Sequence, residues 1–261
     1  MRKTVFAGLA LLLVLSTFSP IVQADQTTLE ALLADPTASI SVGSLTFNHF
    51  TLDTFGLGQG PSPSDVTVGG IALNGESGLQ FTGQYGPGFR VFNLMTFDVS
   101  TADSSALLDD ATLAFDAPPI LNPDDPGQAS VESLIYRQPF FPRFDTVGHL
   151  LVCTEAPTNP GLCQGQNKLV DHAPFMEQLG PPGLVELSSA HVQLEISVDL
   201  STLVFDPADS IAKIGQVDLT FSQVPEPATF MLLMTVLTAL AWQRRRPFYK
   251  RRSQNRPVNA A

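Results

Sequence analysis

His191-Val192-Gln193-Leu194-Glu195-Ile196-Ser197-Val198 alternates polar and apolar side chains without a break. A strand sends successive side chains to opposite faces, so Val192, Leu194, Ile196 and Val198 share one side and His191, Gln193, Glu195 and Ser197 the other. The apolar side demands a second layer while the polar side meets water, which is the mark of an antiparallel sheet packed on one face. Val217, Leu219 and Phe221 against Asp218, Thr220 and Ser222 repeat the pattern. Upstream, Phe89 to Val99 is long and rich in β-formers, and Ile40, Val42, Leu45, Phe47, Val66, Val68 and Ile71 keep a period near two. Helical periodicity is confined to Leu29, Leu32 and Leu33, where Thr27-x-x-Glu30 reads as a capping box and Asp35-Pro36 as the stop. Strands parted by Gly, Pro, Asn and Asp clusters imply an all-β fold, an antiparallel β-sandwich of jelly-roll-like kind with long Pro/Gly-rich loops.

Residues 117–183 differ. They hold eleven of the 21 prolines, so central strands are hard to place there and long loops around two or three short strands, such as Ser130 to Tyr136 and Val147 to Cys153, are expected. A small separate domain is the alternative. Cys153 and Cys163 are the only cysteines, separated by a turn-rich stretch with Pro157, Pro160 and Gly161. A disulfide closing that loop is expected, worth about 2–3 kcal/mol by loop-closure entropy. A metal pair lacks suitably spaced histidines.

The two ends carry addresses. Arg2 and Lys3, the apolar run Val5 to Leu15, and Val22-Gln23-Ala24 have the parts of a secretory signal peptide, cut between Ala24 and Asp25. The alternative is an uncleaved N-terminal anchor. Residues 25–223 then form the acidic sandwich domain. Further on, Ala228 to Trp242 is uncharged and apolar and runs into Arg244-Arg245-Arg246. As a helix it spans about 22 Å against a hydrocarbon core of about 30 Å, so the arginine stems must extend it as a transmembrane helix. The positive-inside tendency keeps the arginines, and the basic tail of residues 247–261, in the cytoplasm. The alternative is a buried core helix.

Of 261 residues, 44% are hydrophobic, and 14 Lys+Arg against 25 Asp+Glu give a net charge of −11. That average hides a division: the N-terminal segment has two bases and no acid, residues 244–261 seven bases and no acid. The stretch between them, counted through Glu226, keeps five bases among all 25 acids, hence 5 − 25 = −20. So acidic a body has no footprint for a phosphate backbone, which argues against nucleic-acid binding.

Val224-Pro225-Glu226-Pro227, then a short apolar helix, then Arg244-Arg245-Arg246, resembles the tripartite PEP-CTERM sorting signal of Gram-negative bacteria, placed at residues 224–246. The segment from Ile40-Ser41-Val42-Gly43 to Phe47-Asn48-His49-Phe50 is similar to the opening strands of such exported proteins, and Phe97-Asp98-Val99 and Val217 to Gln223 to later ones. The resemblance implies that a membrane-embedded exosortase recognises and cuts the signal. The implied partners are thus the exosortase, the Sec translocon, signal peptidase and, transiently, the inner membrane. The implied route ends at the cell surface or in the extracellular matrix, with links to exopolysaccharide and biofilm. One departure is the long tail after Arg246.

Catalytic signatures are lacking: there is no G-x-S-x-G, H-E-x-x-H, Walker loop or G-x-G-x-x-G. The run Gly56-Leu57-Gly58-Gln59-Gly60 precedes prolines and reads as a loop. His49, His149, His172 and His191 are scattered, as surface or loop residues. Asp109-Asp110 and Asp124-Asp125, the latter beside Asn122, offer oxygen ligands for calcium but lack EF-hand spacing, so solvated turns are the plainer reading. Between Asp25 and Gln223 there is no Trp, only Tyr85 and Tyr136, and 14 Phe suited to a core, so aromatic platforms for sugars are scarce. The expectation is a structural or interaction protein without catalysis, cofactor or metal. A carbohydrate-binding module or polysaccharide-active enzyme using loops of residues 117–183 is the alternative.

Overall fold

A computed structural model of the chain describes residues 26–55, 60–85, 91–102, 106–117, 127–137, 145–155, 163–164, 167–176, 183–200, 214–225 and 235–238. Among these the strands are β1 (Thr27–Thr28), β2 (Ser39–Val42), β3 (Leu45–Phe55), β4 (Thr67–Leu73), β5 (Glu76–Tyr85) and β6 (Val91–Thr101). They continue with β7 (Ala106–Asp116), β8 (Gly127–Tyr136), β9 (Thr146–Glu155), β10 (Val170–Pro174), β11 (Ser189–Leu200) and β12 (Ile214–Pro225). One short helix, α1 (Leu29–Ala34), follows β1. Sheet A has the order β1-β4-β5-β12-β7-β10 and sheet B the order β2-β3-β6-β11-β8-β9. The last two strands of the chain therefore sit inside the sheets, between partners made much earlier.

The opening alternation becomes β11, the strand flanked by β6 and β8. Val192 pairs with Phe97 and Ile135, Leu194 with Met95 and Ser133, and Ile196 with Asn93 and Val131. Val192, Leu194, Ile196 and Val198 are each no more than 1% exposed. Each such side chain contributes about 1.5–3 kcal/mol by leaving water. The two sheets meet through phenylalanines: Phe47 and Phe97 from sheet B, Phe81 and Phe221 from sheet A, all fully buried. Phe97 lies edge-on to Phe47 at 6.1 Å and tilted against Phe81 at 6.0 Å, and Phe221 reaches Phe47 at 6.2 Å. This is the core that the Phe-rich, Trp-poor body implied.

Two local readings need correction. The helix is capped by Thr28 rather than Thr27: the Thr28 hydroxyl accepts from the Ala31 N–H at 3.2 Å, while Thr27 pairs with Val68 in the sheet. The stop at Asp35 stands. Residues 117–183 supply β8 and β9, ten residues each, and β10 to the two sheets, rather than short strands among loops. The reason lies in where the prolines fall. All but one of the eleven fall in sequence outside the described strands, and Pro174 ends β10 at the edge of sheet A, where among the described residues no further strand needs its missing N–H. The β4–β5 hairpin turns on Asn74 and Gly75, both at positive φ (54° and 93°), the backbone that a two-residue turn of matching twist requires.

The chain divides into two compact units, Met1–Gln223 and Val224–Ala261. In the second, residues 235–238 form a helical turn in which the Thr238 hydroxyl donates to the Thr235 carbonyl at 2.9 Å. Among the described residues no helix is long and apolar enough to cross a membrane. Most of the expected span from Ala228 to Trp242 lies outside them, as do Ala24, Asp25, Glu226, Pro227, Arg244, Arg245, Arg246 and the tail.

Candidate functional site

The outer face of sheet B gathers most of the titratable side chains that the sequence left scattered. In β3 the register with β6 shifts between Asn48 and Thr51, and His49 takes up the irregularity with a left-handed backbone at φ 55°. Such a bulge re-aims a side chain. Here the His49 ring donates from Nδ1 to Asp98 Oδ2 at 2.7 Å. From the other side, His191 donates from Nδ1 to Asp98 Oδ1, also at 2.7 Å. Three adjacent strands thus place one carboxylate between two imidazoles, and the Tyr136 ring stacks on His191 at 6.4 Å. Burial pushes the Asp98 carboxyl up, but the bonds from His191 and His49 outweigh it and hold it below the ordinary carboxylate range.

Farther along the same face, Glu195 stands directly opposite Glu132 in the β8–β11 register. His149 Nε2 reaches Glu132 Oε1 at 2.8 Å. Burial raises the Glu195 carboxyl, and the neighbouring Glu132 charge raises it further. Tyr136 is raised by the same two causes in the same order. The two glutamates sit side by side on one sheet, whereas glycoside hydrolysis needs its carboxyl groups on either side of the scissile bond.

Sheet A treats its acids differently. Asp218 accepts from Gln80 Nε2 at 3.1 Å and from Gln216 Nε2 at 2.9 Å. Glu76 accepts from the hydroxyls of Thr220 and Thr112, and Asp109 from that of Ser222. Asp110 turns instead to His172 Nε2 at 3.3 Å, so the adjacent pair Asp109-Asp110 is split between partners rather than converging on a cation. The second pair, Asp124-Asp125, lies outside the described residues, as do residues 56–59 of the glycine run.

The sheets are pinned together on one side. Asp171 of β10 accepts from the Leu151 N–H of β9 at 2.9 Å and pairs with Lys168 Nζ at 2.8 Å. Burial pushes the Asp171 carboxyl up, but Lys168 and the Leu151 N–H bring it below its usual range. Nearby, Cys153 and Cys163 form the expected disulfide, with Cα atoms 6.2 Å apart, well within the usual span. Glu155, 1% exposed, accepts from the Cys163 N–H at 2.6 Å. Cys153, Glu155 and Cys163 hold ligand atoms within 4.8 Å of one another, but sulfurs bonded to each other offer no thiolate to a metal.

All four histidines therefore lie against carboxylates, which the sequence reading missed. The outward parity of His191 and Asp98 is visible in sequence; the register that makes them neighbours, and the bulge that turns His49 toward them, are not. Of the sorting residues, Val224 and Pro225 are the last two of β12.

No curated protein matches the chain. Among solved structures, a family 11 carbohydrate-binding module from Clostridium thermocellum, in complex with a β-1,3-1,4-mixed-linked tetrasaccharide, aligns with 80% of this chain and 98% of its own. Its identity is 8% and its TM-score 0.23, too low to carry any argument. Residues 223–246 match the family model described as the PEP-CTERM protein-sorting motif. The chain carries the sorting signal of exosortase-substrate PEP-CTERM proteins, which implies secretion, transient anchoring in the membrane and export.

Proposed function

We propose that the chain is an exported precursor whose jelly-roll-like body is delivered to the cell surface or extracellular matrix, where it acts as a structural or interaction protein without catalysis. The observation that carries this reading is the sorting motif at residues 223–246, reached directly from β12 of a two-sheet sandwich. The Sec translocon exports the chain and signal peptidase cuts between Ala24 and Asp25. Residues 228–242 hold the precursor in the inner membrane, with Arg244, Arg245 and Arg246 as the cytoplasmic stop. An exosortase then cuts near Val224-Pro225-Glu226-Pro227 and discards the basic tail. What leaves is a body with five bases and 25 acids, if Glu226 is kept. Its charge opposes self-association at low salt and favours divalent cations over anionic polymers. A role beside exopolysaccharide in biofilm fits such a surface. To test the reading, the chain is expressed in strains with and without the exosortase and its mass and location are compared. Processing and release should require the enzyme; identical size and membrane retention in both strains would sink the proposal.

A further inference from the structure

Because neighbouring strands run antiparallel, their connections gather at the two ends of the sandwich, and several of them meet where β12 finishes. Ser44, in the β2–β3 turn, donates from Oγ to Gln223 Oε1 at 2.5 Å. Phe221 pairs with Ser77, which brings the Asn74-Gly75 turn to the same end. Ser222 bonds Asp109 near the start of β7, and the Asp109 carbonyl accepts from the Phe175 N–H at 2.8 Å. Met176, the next residue, bridges to Leu184. This end therefore presents Leu73, Met176 and Leu184, large apolar side chains that are 46%, 39% and 76% exposed.

Such exposure is not confined to this end, since Leu169 and Val170 are also open near Ala114 at the far end. What distinguishes the β12 end is the tether. Strand β12 ends at Pro225, and the apolar run begins at Ala228, three residues on, at most about 11 Å of extended chain. The headgroup layer on one side of a bilayer is about 5–8 Å deep. That is the whole length of sequence between β12 and the apolar run. Of the acids at this end, Glu76 and Asp109 are bonded to hydroxyls of the fold and Asp110 to His172, while Glu186 is exposed beside Leu184.

We propose that the β12 end of the sandwich is a membrane seat: while the precursor is anchored, Leu73, Met176 and Leu184 enter the headgroup–acyl boundary of the bilayer, and cutting at the sorting motif frees them. Apolar side chains beside a polar surface bind at that depth without spanning. The inference rests on the reading of residues 228–242 as the anchor, and its test separates the two. The full chain is reconstituted in vesicles of phosphatidylcholine and phosphatidylethanolamine, with an environment-sensitive fluorophore on Leu184→Cys, on Gln84→Cys at the far end, or on Leu237→Cys in the anchor. Brominated lipid should quench the probes at 184 and 237, with at least about twofold more quenching at 184 than at 84. Quenching at 237 alone overturns the seat and leaves the anchor standing. Quenching at none of the three overturns the anchor and the seat with it. Equal quenching at 184 and 84 overturns an end-specific seat.

Discussion

The two outer faces of the sandwich are equally polar in pattern, but their central strands give the carboxylates different partners. Sheet A meets the carboxylates of Asp218, Glu76 and Asp109 with neutral donors, the amides of Gln80 and Gln216 and the hydroxyls of Thr220, Thr112 and Ser222. Sheet B meets Asp98 and Glu132 with histidines and then sets a second glutamate against Glu132. An alternating strand fixes only that a face is polar; which side chains its carboxylates meet depends on register. Two faces of one sandwich thus give their carboxylates different partners although their patterning is the same.

The largest expected effect breaks sheet A. Gly78 faces outward from β5, and a Cβ there would lie 2.1 Å from the Leu219 carbonyl oxygen and 2.5 Å from Thr220 Cα in β12. Neither backbone atom can move without parting the two strands. Gly78→Ala should cost about 3 kcal/mol or more, at the upper end of overpacking effects, read as a fall in the urea midpoint. Unchanged stability would mean that β5 and β12 do not approach as closely as the hydrogen-bonded amide and hydroxyl network requires.

At the edge of sheet B a crosslink ties β9 to the segment that follows it. Replacing Cys153 and Cys163 by Ser removes a crosslink with a sequence separation of 10 and should cost about 2–3 kcal/mol. The same loss should appear when the wild type is unfolded under reducing conditions, while reduction should leave the double variant unaffected.

Much of the frame was legible. Val192 to Val198 and Val217 to Phe221 fix their own inward faces because a half-buried strand leaves its period in the sequence, and both lie where long strands flank them on either side. Proline reads less directly: Pro118, Pro119, Pro139 and Pro142 mark the breaks beside β8, yet their density hides a ten-residue strand between them. Asn74-Gly75 between two β-rich runs is a strong hairpin signal that alternation alone passes over. Of the histidine–carboxylate contacts, only the outward parity of His191 and Asp98 was legible. They join residues 49, 98 and 191, and only pairing register and a bulge bring these together.

That register can be tested at Asp98. Its carboxyl is held below the ordinary range, so its contribution is present above the unfolded carboxylate value of about 3.9 and is lost as pH falls through the lower folded value. Since Asp98 is about a third exposed, the charge-assisted bonds are discounted to about 1 kcal/mol. Asp98→Asn should therefore be about 1 kcal/mol less stable than wild type at pH 7, with the gap closing as pH falls below the unfolded carboxylate value of about 3.9. A gap that persists unchanged in acid would show that the carboxylate charge is not what the two histidines hold.

The smallest effect has the opposite sign. Glu195 is raised by burial and by the Glu132 charge opposite, so its ionised form works against the fold. For a carboxyl raised in this way, the favourable contribution is complete below the unfolded value and is lost as pH rises through the folded one. At pH 7 the wild type therefore carries a repulsion that Glu195→Gln removes. Like charges directly opposite in a sheet are destabilising by a few tenths of a kcal/mol, and that much should be regained at pH 7 and little at pH 4. The outer face of sheet A offers no such gain, because each of its bonded carboxylates faces a donor rather than another acid. If Glu195→Gln lowered the urea midpoint at pH 7, the Glu195 carboxylate would have a favourable partner on this face, and the contrast between the two sheets would fail at that position.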